Sequence, residues 1–119
     1  MIPVACLNFP WPPSVNTYWR HPGGGKHLIS AKGRSYRKEV GWEAKAQKCA
    51  YSEFGRLSVE IWAYPPDARR RDLDNLLKAI LDALTGIAWK DDSQIDDLRI
   101  VRKGIYPKGL MEVKIEVIA

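Results

Sequence analysis

Between residues 57 and 64 the sequence LSVEIWAY alternates Leu57, Val59, Ile61 and Ala63 with Ser58, Glu60, Trp62 and Tyr64. That period of two predicts a strand with one face in a core, and Pro65 and Pro66 stop it. The period then lengthens. Leu73, Leu76, Leu77, Ile80, Leu81 and Leu84 form one apolar face of a helix that starts at Asp72, a good N-cap residue, and ends at Gly86, which can take a left-handed cap. The same spacing, less sharply, joins Tyr36, Val40 and Ala44 with Ala46 and Cys49, while Arg37, Lys38, Lys45 and Lys48 fall elsewhere. It predicts a first helix over residues 35–51, weakened by Gly41. Residues 2–9, IPVACLNF, closed by PWPPS, predict a strand running into a rigid loop. QIDDLRIVRK and LMEVKIEVIA predict two last strands, with GIYPKG between them as hairpin chemistry. The glycine-rich, basic segment WRHPGGGKHLISAKG, residues 19–33, is expected to be a mobile loop.

The order strand, helix, strand, helix, strand, strand implies an α/β (α+β) fold: one small domain over residues 1–119, with a mixed β-sheet and two main helices. A formal net charge of +5 and a pI near 9.3 make a polyanion a fitting partner, though charge alone argues only for non-specific attraction. Cys6 and Cys49 show neither metal-binding nor disulfide spacing and are expected to be buried thiols. The apolar N-terminus has no basic leader region, and no window reaches the about 20 apolar residues of a membrane span. A cytoplasmic chain is expected.

The chemistry concentrates in RRRDLDNLLKA, residues 69–79, where two carboxylates sit inside the most basic run. Asp74, Lys78 and Asp82, four apart, form a polar stripe opposite the leucines, beside Asn75. In the plainest account Asp72 caps, Asp74 complements the helix dipole, and Lys78 makes ordinary pairs with Asp74 and Asp82. A second acidic group, WKDDSQIDD, holds Asp91 and Asp92. If the chain after the helix turns back along it, at least three carboxylates converge, which is unfavourable without a cation. Oxygen donors without His or Cys suit magnesium or manganese. With arginines and a lysine alongside, that is equipment for phosphodiester hydrolysis.

PDARRRDLDNLLKAILDAL followed by WKDDSQIDD, with WPPSVNTYWRH near the N-terminus, closely resembles the RusA family of Holliday junction resolvases, small enzymes of bacterial and phage origin. The resemblance implies a homodimeric, magnesium-dependent (or manganese-dependent) endonuclease without an organic cofactor, nicking opposed strands of four-way junction DNA. By matching position it implies Asp72, Asp74 and Asp92 as catalytic carboxylates and metal ligands, Lys78 as a catalytic or phosphate-contacting cation, and Arg71 as a DNA contact. Arg69 and Arg70, with Lys26 and Lys32 of the basic loop, are expected to extend the DNA-binding surface. The segment TGIAWKDD is a residue shorter than the family's form, so either Asp91 or Asp92 is the inward ligand, and Asp92 is the expected one.

Several residues admit two readings. His21 and His27 are poorly spaced for a metal and better suited to a DNA-facing loop. Trp11, Tyr18 and Trp19 are equally suited to stacking on unpaired bases and to packing. Lys103 and Lys108 belong to the basic surface or to a solvated hairpin. Asp96 and Asp97 join the acidic cluster if their strand runs past it, but adjacent strand residues point to opposite sides, so at least one is expected to face solvent. Two rival functions stay open: a non-catalytic DNA-binding module, and a metal-dependent nuclease acting on RNA or simple duplex.

Overall fold

The computed structural model describes residues 5–14, 19–20 and 28–118. Its elements in chain order are β1 (Ala5–Phe9), β2 (Trp19–Arg20), β3 (Leu28–Ile29), α1 (Ala31–Ala46), β4 (Arg56–Tyr64), α2 (Leu73–Leu84), a single 3-10 turn (Asp92–Gln94), β5 (Ile95–Arg102) and β6 (Leu110–Ile118). The main sheet is mixed, in the order β1-β6-β4-β5, with β4 and β5 parallel and the other pairs antiparallel. Alternate residues of its three inner-facing strands (Leu7 and Phe9; Leu57, Val59, Ile61 and Ala63; Met111, Val113 and Ile115) are buried in one core with α1 and α2. The period of two is thus a true strand signal, and the sheet lies under a single layer of two helices.

Four expectations need correction. Helix α1 runs over 31–46 rather than 35–51. The Ser30 hydroxyl accepts from the Gly33 amide at 3.0 Å and caps the helix earlier, and Lys48, at φ 57°, lies beyond its end. Trp19–Arg20 pairs with Leu28–Ile29 as a short antiparallel ladder inside the segment read as a loop. Lys26, His21, His27, Tyr18 and Gly23 to Gly25 lie outside the described residues, and Lys32 is exposed in the first turn of α1.

GIYPKG is no hairpin turn. Strands β5 and β6 are not neighbours, because β4 lies between them, so residues 103–109 cross the end of β4. The local turn chemistry was legible, but pairing is settled by burial, and β4, apolar on one face along its whole length, takes the central position. Finally, Cys6 is exposed and Cys49 half-buried, and neither is in a disulfide. Among the described residues no helix is long and apolar enough to cross a membrane.

Candidate active site

Helix α2 returns between the parallel strands β4 and β5, so it has two chemically distinct ends. Its N-terminal end lies beyond the C-terminal ends of both strands, the usual position for ligands in parallel sheets. There the chain from Asp67 to Arg71 folds on itself: Asp67 Oδ1 accepts from the Arg69 amide at 2.9 Å and from Arg71 Nη1 at 2.8 Å. The Arg71 guanidinium, ahead of the Arg69 amide, holds the Asp67 carboxyl at a pKa of about 2. The Arg71 carbonyl accepts from the Arg102 guanidinium at the end of β5, which ties this segment to the sheet.

Arg71 also lies over the Trp11 ring, 5.6 Å from its centroid. Trp11 is backed by Gly109, at φ +77°, where an added Cβ would meet the Trp11 Cβ at 2.7 Å. The Tyr36 hydroxyl donates to the Pro10 carbonyl at 2.8 Å and pins the proline loop to α1. These contacts shape a cavity of about 650 Å³ lined by Trp11, Pro12, Pro13, Arg69, Arg70, Arg71, Asp72 and Asn75, among others. A second hollow of about 400 Å³ shares Trp11 and the three arginines and continues to Arg102 and Lys103.

Asp72 is the N-cap residue by position, yet its side chain makes no capping bond, and Asp74 is exposed in the first turn. Among the described residues, two carboxylates therefore stand at the positive end of the helix dipole without a side-chain partner. Lys78 forms no salt bridge either, so the expected pairs with Asp74 and Asp82 are absent among the described residues. Asp82 is gripped instead by Arg37 of α1 in a bidentate pair, 2.7 Å at both bonds.

The other end of α2 is built around Trp89, fully buried, whose indole N–H donates to Thr85 Oγ1 at 3.0 Å. Gly86, at φ +89°, makes the turn, as its position after the helix predicted. Asp91 Oδ1 accepts from the Ser93 amide at 3.0 Å and caps the 3-10 turn. The buried Gln94 side chain accepts from the Lys90 and Asp91 amides, both at 2.9 Å, and donates to the Ser52 and Gly55 carbonyls at 3.2 and 2.9 Å. Asp92 is left at the surface. Partial desolvation, then the neighbouring Asp91 carboxyl and the charge of Asp82, push its pKa up. Asp91 is held down by the Ser93 amide first. Asp96 is engaged by Arg56 at 3.0 and 3.1 Å, and both Asp96 and Asp97 are exposed.

The expected convergence of Asp72, Asp74 and Asp92 does not occur within one chain. Ile95 pairs with Leu57 at one end of β4, and Arg102 pairs with Ala63 at the other. Asp92 therefore precedes the start of β5 while Asp72 adjoins its end, about 20 Å away at about 3.3 Å per strand residue. Among the described residues no group of three or more His, Cys, Asp or Glu is disposed to hold a metal ion. Asp67 and Gln94, which order the two ends, escaped the sequence reading. Their signals were local: Asp67 stands four residues before Arg71, and Gln94 three after Asp91, at capping-box spacing.

A family model described as endodeoxyribonuclease RusA matches residues 10–117. The crossover junction endodeoxyribonuclease of Enterobacteria phage HK97 is 45% identical over 107 residues, covering 89% of this chain and 88% of its own. The enzyme of the same name from Escherichia coli strain K12 is 42% identical over 113 residues, covering 92% and 91%, and that of Enterobacteria phage 82 is 42% identical over 110 residues, with the same coverage. A match over nearly the whole length, with the arginine run, Asp72, Asp74 and the Asp91–Asp92 turn all inside it, shows that this chain belongs to the RusA family of endodeoxyribonucleases.

Proposed function

We propose that this chain is a Holliday junction resolvase, a homodimeric endodeoxyribonuclease that makes paired, symmetric nicks in four-way junction DNA with magnesium or manganese. The observation that carries this reading is the arginine-lined cavity bordered by Asp72, with Asp74 in the next turn and neither carboxylate bonded to a side chain among the described residues, in a member of a family whose relatives are named crossover junction endodeoxyribonucleases. Arg69 and Arg70, both exposed, meet the DNA backbone, and their charge offsets the repulsion that Asp72 and Asp74 exert on phosphate.

The donors suit a hard divalent cation, but each chain supplies them in two separated halves. A twofold partner with α2 antiparallel to its mate brings Asp92 of one copy to Asp72 and Asp74 of the other, and gives a substrate of approximate twofold symmetry two equivalent sites. Asp91 is engaged as a cap, which supports Asp92 as the inward carboxylate. When bound, the cation supplies Lewis acidity at the scissile phosphate and lowers the pKa of a coordinated water. Lys78, one turn after Asp74 and without an ion-pair partner among the described residues, offers its ammonium to the charge that develops at phosphorus.

The test is a synthetic four-way junction incubated with magnesium or manganese. Paired nicks at symmetric positions are expected, with linear duplex of the same sequence largely intact. EDTA stops cutting but leaves a retarded complex, because the arginines contact the backbone without the cation. Asp72→Asn, Asp74→Asn and Asp92→Asn each abolish cleavage and keep junction binding. Equal cutting of duplex makes the chain a general nuclease, and binding without cutting under any divalent metal makes it a DNA-binding module.

A further inference from the structure

We infer that the cavity beside Asp72 receives one unpaired nucleotide from the branch point, its base stacked against Trp11 and Arg71, and that this capture helps the enzyme distinguish a junction from linear duplex. The inference rests on the resolvase reading above. At about 650 Å³ the cavity falls within the range of about 300–1,000 Å³ typical of small-molecule sites and is far roomier than a phosphate needs. Its chemistry is divided. Arg69 and Arg70 are exposed at its rim, whereas Trp11, Pro12 and Leu76 supply apolar wall, and the Asn75 amide can both donate and accept. Backbone recognition alone would use the arginines and leave an apolar wall beside them without purpose. A nucleotide uses both, its phosphate on the guanidinium groups and its base on the aromatic and guanidinium planes.

The stacking surface is also formed before DNA arrives. Trp11 is wedged against Gly109, its loop is held by the Tyr36 bond to Pro10, and Arg71 is fixed by Asp67. Because Asp72 lines the same cavity, a captured nucleotide adjoins the phosphate to be cut. Extruding a base costs least where it is already unpaired, so the pocket favours the open centre of a junction over a stacked duplex.

Affinity is measured in EDTA for the wild type, Trp11→Leu and Trp11→Phe. The substrates are linear duplex, an intact four-way junction, and junctions carrying an abasic residue at each nucleotide flanking the cut in turn. At one flanking position the abasic change weakens wild-type binding on the order of 10-fold. Trp11→Leu costs a similar factor on the intact junction, the two together cost no more than either alone, and Trp11→Phe recovers most of the loss. The junction-to-duplex affinity ratio falls by the same factor in Trp11→Leu. Losses that multiply, equal weakening on duplex, or no loss at any abasic position overturn the inference. If Trp11→Leu does not fold, the abasic series on the wild type and Trp11→Phe decides by that last criterion. Failure of the wild type to bind the intact junction removes the resolvase reading itself, whereas junction binding with multiplying losses removes only the nucleotide receptor.

Discussion

An ammonium on the exposed side of a helix commonly pairs with a carboxylate one turn away, and Lys78 has two at that spacing, Asp74 and Asp82. It pairs with neither among the described residues, and Arg37 takes Asp82 instead. Lys78→Ala is therefore expected to leave the melting temperature unchanged while single-turnover cleavage falls about 100-fold. A drop in melting temperature with normal cleavage would return Lys78 to a structural role. Asp67 offers a test of a different kind. Its folded pKa, about 2, lies below the about 3.9 of an unfolded aspartate. Its stabilising contribution is therefore fully present above about pH 4 and is lost as pH falls through about 2. Unfolding curves of wild type and Asp67→Asn should differ by a constant amount above pH 4 and converge across that window.

At the scale of elements, the turn between α2 and β5 depends on one buried side chain. Gln94 satisfies four backbone groups from two loops. Replacing it with leucine leaves the Asp91 amide and the Gly55 carbonyl without that partner, while the Lys90 amide and the Ser52 carbonyl keep each other, at a cost of about 2–3 kcal/mol. Urea unfolding of Gln94→Leu should show that loss, and cleavage should fall further than stability explains, because Asp92 follows the same turn. Junction binding in EDTA should persist, since Arg69 and Arg70 lie at the far end of α2. Unchanged cleavage by a folded Gln94→Leu would show that the position of Asp92 does not depend on this network.

The whole molecule sets the last test, because a single chain holds the carboxylates about 20 Å apart. In a mixed dimer of an Asp74→Asn chain and an Asp92→Asn chain, a site shared between copies has both defects on one side and none on the other. Mixing and reassociating the two inactive variants should therefore regenerate nicking of one junction strand, without the paired cut. A site contained within one chain predicts no activity from the mixture at any ratio. Because such a dimer has a single working site, product should accumulate as nicked junction rather than resolved arms.

Local physics made much of this molecule legible in advance. The alternation of Leu57 to Ala63 and of Met111 to Val117, and the leucine face after Asp72, are short-range patterns that burial on one side imposes on neighbouring residues. The pairing of Asp72 and Asp74 with the arginine run is likewise contiguous in sequence. Other features depend on which strands become neighbours. Pairing is a competition among apolar faces across the whole chain, so the central place of β4, the crossing of GIYPKG over its end, and the grip of Arg37 on Asp82, 45 residues away, carry no local signature. The same competition made β5 parallel to β4, and a helix joining parallel strands must run back along them and deliver its two ends to opposite ends of those strands. That is why the motif disclosed the carboxylates, while only the tertiary structure separated Asp92 from Asp72 and Asp74.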